Sequence, residues 1–315
     1  MGQMVSTPVQ LSTSLRSFAA EDPGDWSHMV DFARAADNAG IDKLAISDHV
    51  VFGENLEAYG DPAIGGARGG KQPTGPDGAW LDPICTIAHL SALTSRVRFA
   101  TNILVAALRR PVVLAKMAAT IDVLSGGRLD IGVGVGWQRE EYEAAGLSFE
   151  LRGRMLNHTI EVCQTLWRNQ TADYESPELA FSKTHQMPKP IQPGGVPIWV
   201  SGTVNDRAMD RLARYGSGWV PWGDDAVDVE RGIARMRTAM AERDRDPSEI
   251  GVVGTLHPVR EEAGKLNLNK TMSGIPALRE AGVTDFRLTF SAPRNMEAAT
   301  EYMGEVVAAF RSAST

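Results

Sequence analysis

Short runs of aliphatic and β-branched residues recur along the chain, separated by longer stretches whose apolar positions fall at helical spacing. Runs that short, bounded by Gly, Pro, Asn or Asp, predict strands, whereas apolar residues at i, i+3 and i+4 predict helices that pack by one face. Strands are expected at 9–12, 43–47 (KLAIS), 96–104 (RVRFATNIL), 129–135 (LDIGVGV), 198–201 (IWVS), 218–221 (GWVP), 250–256 and 284–290 (TDFRLTF). Helices are expected at 27–39, from 82 to about 93, and at 111–124, 151–167, 205–215, 227–243, 271–281 and 296–311. In the first of these, His28, Phe32, Ala35 and Ala36 fall near one face, and Gly40 follows as a stop. Asp82 and Pro83 read as the cap and first turn of the second.

Eight strands alternating with helices predict a parallel sheet covered by helices, and eight is the number that closes a barrel. The expected fold is therefore α/β, a (β/α)8 TIM barrel formed by one domain over residues 1–315. An open doubly wound sheet is the alternative. Two interruptions stand out. Residues 50–80, rich in Gly, Pro and Asp, read as a lid whose Phe52, Tyr59 and Trp80 suit a cover over a flat ring, with a disordered segment as the alternative. Residues 139–196 form a larger insertion.

The net charge of −7 comes without any concentration of Lys and Arg, so nucleic acid is not an expected partner. Neither a signal peptide nor an apolar run of membrane-spanning length is read, so no membrane is expected and the expected place is the cytoplasm. Cys85 and Cys163 lie among apolar neighbours and read as two buried free thiols. No Cys/His set has ligand spacing, so no metal is expected.

Active sites of such barrels lie at the C-terminal ends of the strands. That rule selects Ser47-Asp48-His49, Thr101-Asn102-Ile103, Gly134-Val135-Gly136-Trp137, Ser201-Gly202-Thr203, Trp219 to Gly223, Leu256-His257 and Phe290-Ser291. Asp48-His49 is the foremost acid/base candidate, because a carboxylate can orient an imidazole that titrates near neutrality. A strand-end histidine bound to backbone is the alternative. The glycines 132, 134 and 136 lack the G-x-G-x-x-G spacing of a dinucleotide loop and read as backbone that a flat ring can approach. Trp137 either stacks on that ring or packs. Ser201-Gly202-Thr203, before a helix start, is either a phosphate cradle or a helix cap. Arg109-Arg110 either holds an anionic tail or is solvated.

At these residues the chain resembles the luciferase-like oxidoreductases, and most of all their branch that uses the deazaflavin coenzyme F420. The resemblance lies in SDHVV (47–51), the long run from TNILVAALRRP to REEYEAAG (101–146), RGR (152–154), MPKPIQ (187–192), PIWVSG (197–202) and GSGWVP (216–221). It implies that Asp48 binds the cofactor and that His49 is catalytic, acting near the hydride-transfer site. It also implies a non-proline cis peptide near Asn102-Ile103, and cofactor contacts from Thr101, Asn102, Ile103, Val135, Gly136, Trp137, Ser201, Gly202 and Thr203. Sugar-phosphate dehydrogenases of the family carry Glu directly after this Gly and Asn three residues later. Here Trp137 and Glu140 stand there, which speaks for a more apolar small-molecule substrate.

The expected activity is thus hydride transfer between deazaflavin C5 and a small, apolar organic substrate. The alternative is an FMN-dependent monooxygenase using reduced flavin and O2, fed by a separate reductase. A third possibility is a barrel without catalysis that serves as a binding or structural subunit; the Asp48-His49 pair and the glycine strand argue against it. Relatives are commonly homodimers, so a homodimer is expected, with a separate flavin or F420 reductase as a possible partner.

Overall fold

The computed structural model describes residues 9–262 and 264–314. Eight parallel strands close on themselves: β1 (Gln10–Leu15), β2 (Lys43–Ile46), β3 (Arg98–Thr101), β4 (Leu129–Val133), β5 (Ile198–Gly202), β6 (Gly218–Pro221), β7 (Gly251–Leu256) and β8 (Asp285–Leu288). Each strand lies beside the next in sequence, and β8 returns to β1 with Gln10 opposite Asp285. The fold is a (β/α)8 barrel, and the open-sheet alternative is excluded by that closure.

The interior shows why the barrel is filled rather than hollow. Lys43 on β2 reaches Asp130 on β4 and Asp285 on β8, each at 2.9 Å. Those strands are not neighbours in the sheet, so the three side chains can meet only across the interior. The lysine is 2% exposed and lies 4.4 Å from the Trp199 ring centroid. Arg98 on the rim completes the set at 2.6 Å from Asp130. Two cations thus balance two carboxylates, which is what lets charge remain buried here.

The helices pack outside by one face. Ser27–Ala39 buries Met29, Ala33, Ala35 and Ala36, whereas His28 points to solvent and leaves the face assigned to it from sequence. Helix Pro83–Ser91, capped by the Asp82 carboxylate at the Cys85 N–H, buries Ile84, Ile87 and Leu90. That phase turns Cys85 outward, so only Cys163 is the buried thiol expected of both. The expected helix at 271–281 is two, Leu268–Met272 and Ile275–Ala281, divided at Ser273-Gly274, with Pro276 at the start of the second.

Both insertions are more ordered than their composition suggests. In 50–80, single turns at Leu56–Gly60 and Pro62–Ile64 lead to Ala79–Trp80, which pairs antiparallel with Phe18–Ala19. The Phe18 and Trp80 rings stack there at 4.3 Å. In 139–196, a short helix Arg139–Ala144 precedes helix Arg152–Arg168, which packs on Pro111–Ser125 and donates Trp167 Nε1 to the Ala115 carbonyl at 2.9 Å. A hairpin of Ala172–Glu175 with Ala180–Thr184 replaces the irregular stretch expected there. Among the described residues no helix is long and apolar enough to cross a membrane.

Candidate active site

The C-terminal strand ends open into a cavity of about 660 Å³, roofed by the 50–80 segment. Trp222 Nε1 donates to the Gly65 and Gly66 carbonyls at 3.1 and 3.2 Å, and Tyr59 lies edge-on to Trp137 at 5.4 Å. The roof is therefore fastened to the loops after β4 and β6.

His49, just past β2, stands in an aromatic cage. The rings of Phe52, Trp80 and Trp137 lie 4.3, 4.9 and 5.8 Å away, the two tryptophans edge-on. Its Nε2 is 3.0 Å from the Gln72 amide nitrogen of the roof, and its Nδ1 is 3.5 Å from Glu141 Oε2. An amide nitrogen can only donate, so with this side-chain orientation Nε2 is the acceptor and the ring proton sits on Nδ1, facing the carboxylate. Glu141 is 1% exposed. Its Oε1 accepts the Val50 N–H at 2.6 Å, whereas Oε2 and His49 Nδ1, 3.5 Å apart, are both buried without a hydrogen-bond partner. The sequence reading passed over Glu141, although it lies within the run that carries the family resemblance. What hid it was the unforeseen helix Arg139–Ala144, whose first turn aims it at β2.

Asp48 has a structural partner that the sequence did not name. Its side chain is fully shielded, and both oxygens are taken: Oδ2 by the Val105 N–H at 2.9 Å and Arg109 Nη1 at 2.7 Å, Oδ1 by Arg109 Nη2 at 2.8 Å. Burial by itself pushes the Asp48 carboxyl up, and the bidentate guanidinium opposes that. Burial alone would lower Arg109, but Asp48 and Asp82 outweigh it and raise it above the usual arginine range. The carboxylate thus pins the turn that carries His49, and Asp48 also borders the cavity. Arg109 is spent in the same pair and cannot hold an anionic tail.

The Asn102-Ile103 peptide is cis, as the resemblance implied, and both residues line the cavity. Thr101 does not: its Oγ1 donates to the Gly132 carbonyl at 2.7 Å, inside the β3–β4 seam. The glycines answer to the same seam. A Cβ on Gly132 would lie 2.2 Å from the Thr101 carbonyl oxygen, and one on Gly134 would lie 2.8 Å from Ile103 Cδ1. Strand packing requires Gly132, whereas Gly134 also borders the cavity. Val135, Gly136 and Trp137 do line the cavity; Gly136 turns the chain at φ +70°, and Tyr142 holds the turn by donating to the Val135 carbonyl at 2.6 Å. Trp137 is buried against Tyr59 and also borders the cavity. The strand ends at Leu256-His257 and Phe290-Ser291 stay clear of it.

Ser201, Gly202 and Thr203 line the far end of the cavity, where Asn205 caps helix Asp206–Tyr215 by accepting the Ala208 N–H at 3.1 Å. Three guanidiniums gather there: Arg152, Arg207 and Arg211. Burial pulls Arg211 down to about 10 and lowers Arg152, on which Arg207 acts as a like charge. Arg152 lies over the Phe149 ring at 3.8 Å, and its buried Nε has no hydrogen-bond partner. Arg211 is buried, Arg152 half-buried and Arg207 exposed, and this gathering of positive charge at a helix start is complementary to an anion.

Cavity and barrel together define a (β/α)8 protein with an enclosed histidine and a cationic pole at its mouth. The sequence model of luciferase-like monooxygenases matches residues 4–264, and the chain belongs to that family of oxidoreductases and monooxygenases. The uncharacterized protein Rv0940c of Mycobacterium tuberculosis is 29% identical over 296 residues, covering 91% of this chain and 93% of that one. The oxygenase component of the flavin-dependent trigonelline monooxygenase of Acinetobacter baylyi shares 37% identity over 124 residues, 38% of this chain and 34% of its own. An F420-dependent secondary alcohol dehydrogenase in complex with an F420-acetone adduct superposes with a TM-score of 0.72 at 17% identity, covering 96% of this chain and 99% of that one, a likeness of fold.

Proposed function

We propose that this protein is an F420-dependent oxidoreductase acting on a small organic molecule with an apolar body. The observation that carries this is the cationic pole: three arginines beyond Ser201-Gly202-Thr203, with Arg68 on the roof side. That is more positive charge than one phosphate needs, and it suits a coenzyme side chain with a phosphodiester and carboxylates. Arg152, with its unpartnered Nε, fits such a group. Asn102, Ile103, Val135 and Gly136 would bound the ring, and Ser201, Gly202 and Thr203 the start of the side chain.

When bound, the deazaflavin supplies or takes up a hydride at C5. His49 handles the accompanying proton at Nε2, the nitrogen now held by Gln72. Glu141 presents an unspent carboxylate oxygen 3.5 Å from the other ring nitrogen and so orients the ring. Phe52, Trp80 and Trp137 exclude water around that nitrogen.

A second reading, an FMN-dependent monooxygenase, is supported by the stretch shared with the Acinetobacter baylyi oxygenase component. Titration of the purified protein with F420 and with FMN, followed by fluorescence quenching, separates the two. Saturation by F420 in the micromolar range, weakened in Arg152→Ala, is expected; saturation by FMN alone would move the assignment to the second reading.

A further inference from the structure

The inner end of the cavity is formed by the barrel itself, and one residue there stands out. Arg287 lies on β8, two residues beyond Asp285, and borders the cavity with Val253 and Thr255 of β7. Side chains two apart on a strand face the same side, so the guanidinium occupies the interior layer above the Lys43–Asp130–Asp285 cluster. The matching positions on the other even strands, two beyond Lys43, Asp130 and Gly218, are Ala45, Gly132 and Val220. None can accept a hydrogen bond from its side chain.

Arg287 is 9% exposed, and its Nε is buried without a partner. Among the described residues its side chain makes no hydrogen bond or ion pair. Its one electrostatic neighbour is Asp285, whose carboxylate is already engaged by Lys43 and by the Ser12 hydroxyl. Below it, Lys43 and Arg98 already balance Asp130 and Asp285. Arg287 is thus a surplus buried cation with its donors unspent, and burial alone lowers its pKa. A buried charge left this way is unfavourable unless something completes it.

We propose that Arg287 receives a carboxylate of the substrate, so that the substrate is an organic acid whose apolar body lies under the aromatic roof. A planar fork of donors, in register with Ser12 and Thr255 but bonded to neither hydroxyl, matches a planar two-oxygen acceptor. The anion-binding pole for the cofactor lies elsewhere, at the end of β5, so the two anionic groups are recognised separately. The inference rests on the oxidoreductase reading for the cofactor's place, and it replaces a wholly apolar substrate by one with a single acidic end.

The test uses hexanoate and its neutral counterpart hexanamide. Their affinities are measured by calorimetry on the protein alone and on the protein loaded with whichever cofactor the titration selects. Hexanoate is expected to bind at least about tenfold more tightly. Arg287→Met should abolish that preference, and Arg287→Lys should keep part of it, which covers the case in which the methionine variant fails to fold. Equal affinities, no binding of either compound, or a preference that survives in Arg287→Met would overturn the proposal. So would an Arg287→Met variant that loses cofactor affinity but keeps its preference for hexanoate. Failure of both cofactors to bind would sink the oxidoreductase reading instead, and the acid preference of the protein alone would still be measurable.

Discussion

At the scale of single residues, the imidazole of His49 has two unequal sides. Nε2 faces the cavity and a replaceable amide; Nδ1 faces a buried carboxylate that has no other claim on that oxygen. His49→Ala is expected to lower turnover on the order of 10²–10⁴-fold while leaving cofactor affinity near that of the parent, because the backbone proposed to bound the ring follows β3 and β4 and is separate from His49. Unchanged turnover in steady-state assays would remove the catalytic role. Glu141→Gln isolates the positioning role. Glutamine can still accept the Val50 N–H, so thermal stability should move little. The ring would lose the negative charge facing Nδ1, so kcat should fall and the pH profile of kcat/KM should shift. A profile that overlays the parent's would show Glu141 to be structural only.

At the scale of elements, the site depends on how closely β3 and β4 approach. Gly132 lets the Thr101 carbonyl pass where any side chain would stand, and the same carbonyl neighbourhood leads into the Asn102-Ile103 wall. Gly132→Ala must move backbone rather than a flexible side chain, so a loss of about 1–3 kcal/mol is expected in denaturant titration. Cofactor affinity should drop with it, since the displaced strand is part of the ring pocket. A variant as stable as the parent would mean that the seam is looser than this geometry. These glycines were visible in the sequence, but their purpose was not: a strand partner and a bound ring ask for the same missing Cβ. The hairpin at 172–184 and the helix Arg139–Ala144 were hidden for a related reason, since short elements on an insertion carry too few periodic positions to declare themselves.

At the scale of the whole molecule, buried carboxylates set the response to acid. Burial alone would raise Asp37, but the N–H groups of Val97, Ser95 and Arg96 and the Ser95 hydroxyl outweigh it and hold its carboxyl below the usual range. Burial likewise opposes ionisation of Asp130, and Lys43 and Arg98 prevail. The unfolded chain takes up these protons near the ordinary aspartate value of about 3.9, before the folded chain does. Their contribution is therefore complete above that value and is lost as pH falls towards the lowered folded values. Unfolding free energy should decline below about pH 4, and Asp37→Asn should lower it by about 2–4 kcal/mol at neutral pH while flattening that decline. An acid limb as steep as the parent's would assign the effect to other carboxylates. The sequence by itself determined the count and order of the strands, the roof segment and the place of His49 at a strand end. Those follow from periodicity, turn residues and motif, which are local. Only the tertiary structure decided that Asp48 serves Arg109, that Glu141 orients His49, and that Arg287 stands unpaired inside the barrel. Pairing of charges across strands distant in sequence depends on which groups burial brings together, and no local pattern encodes it.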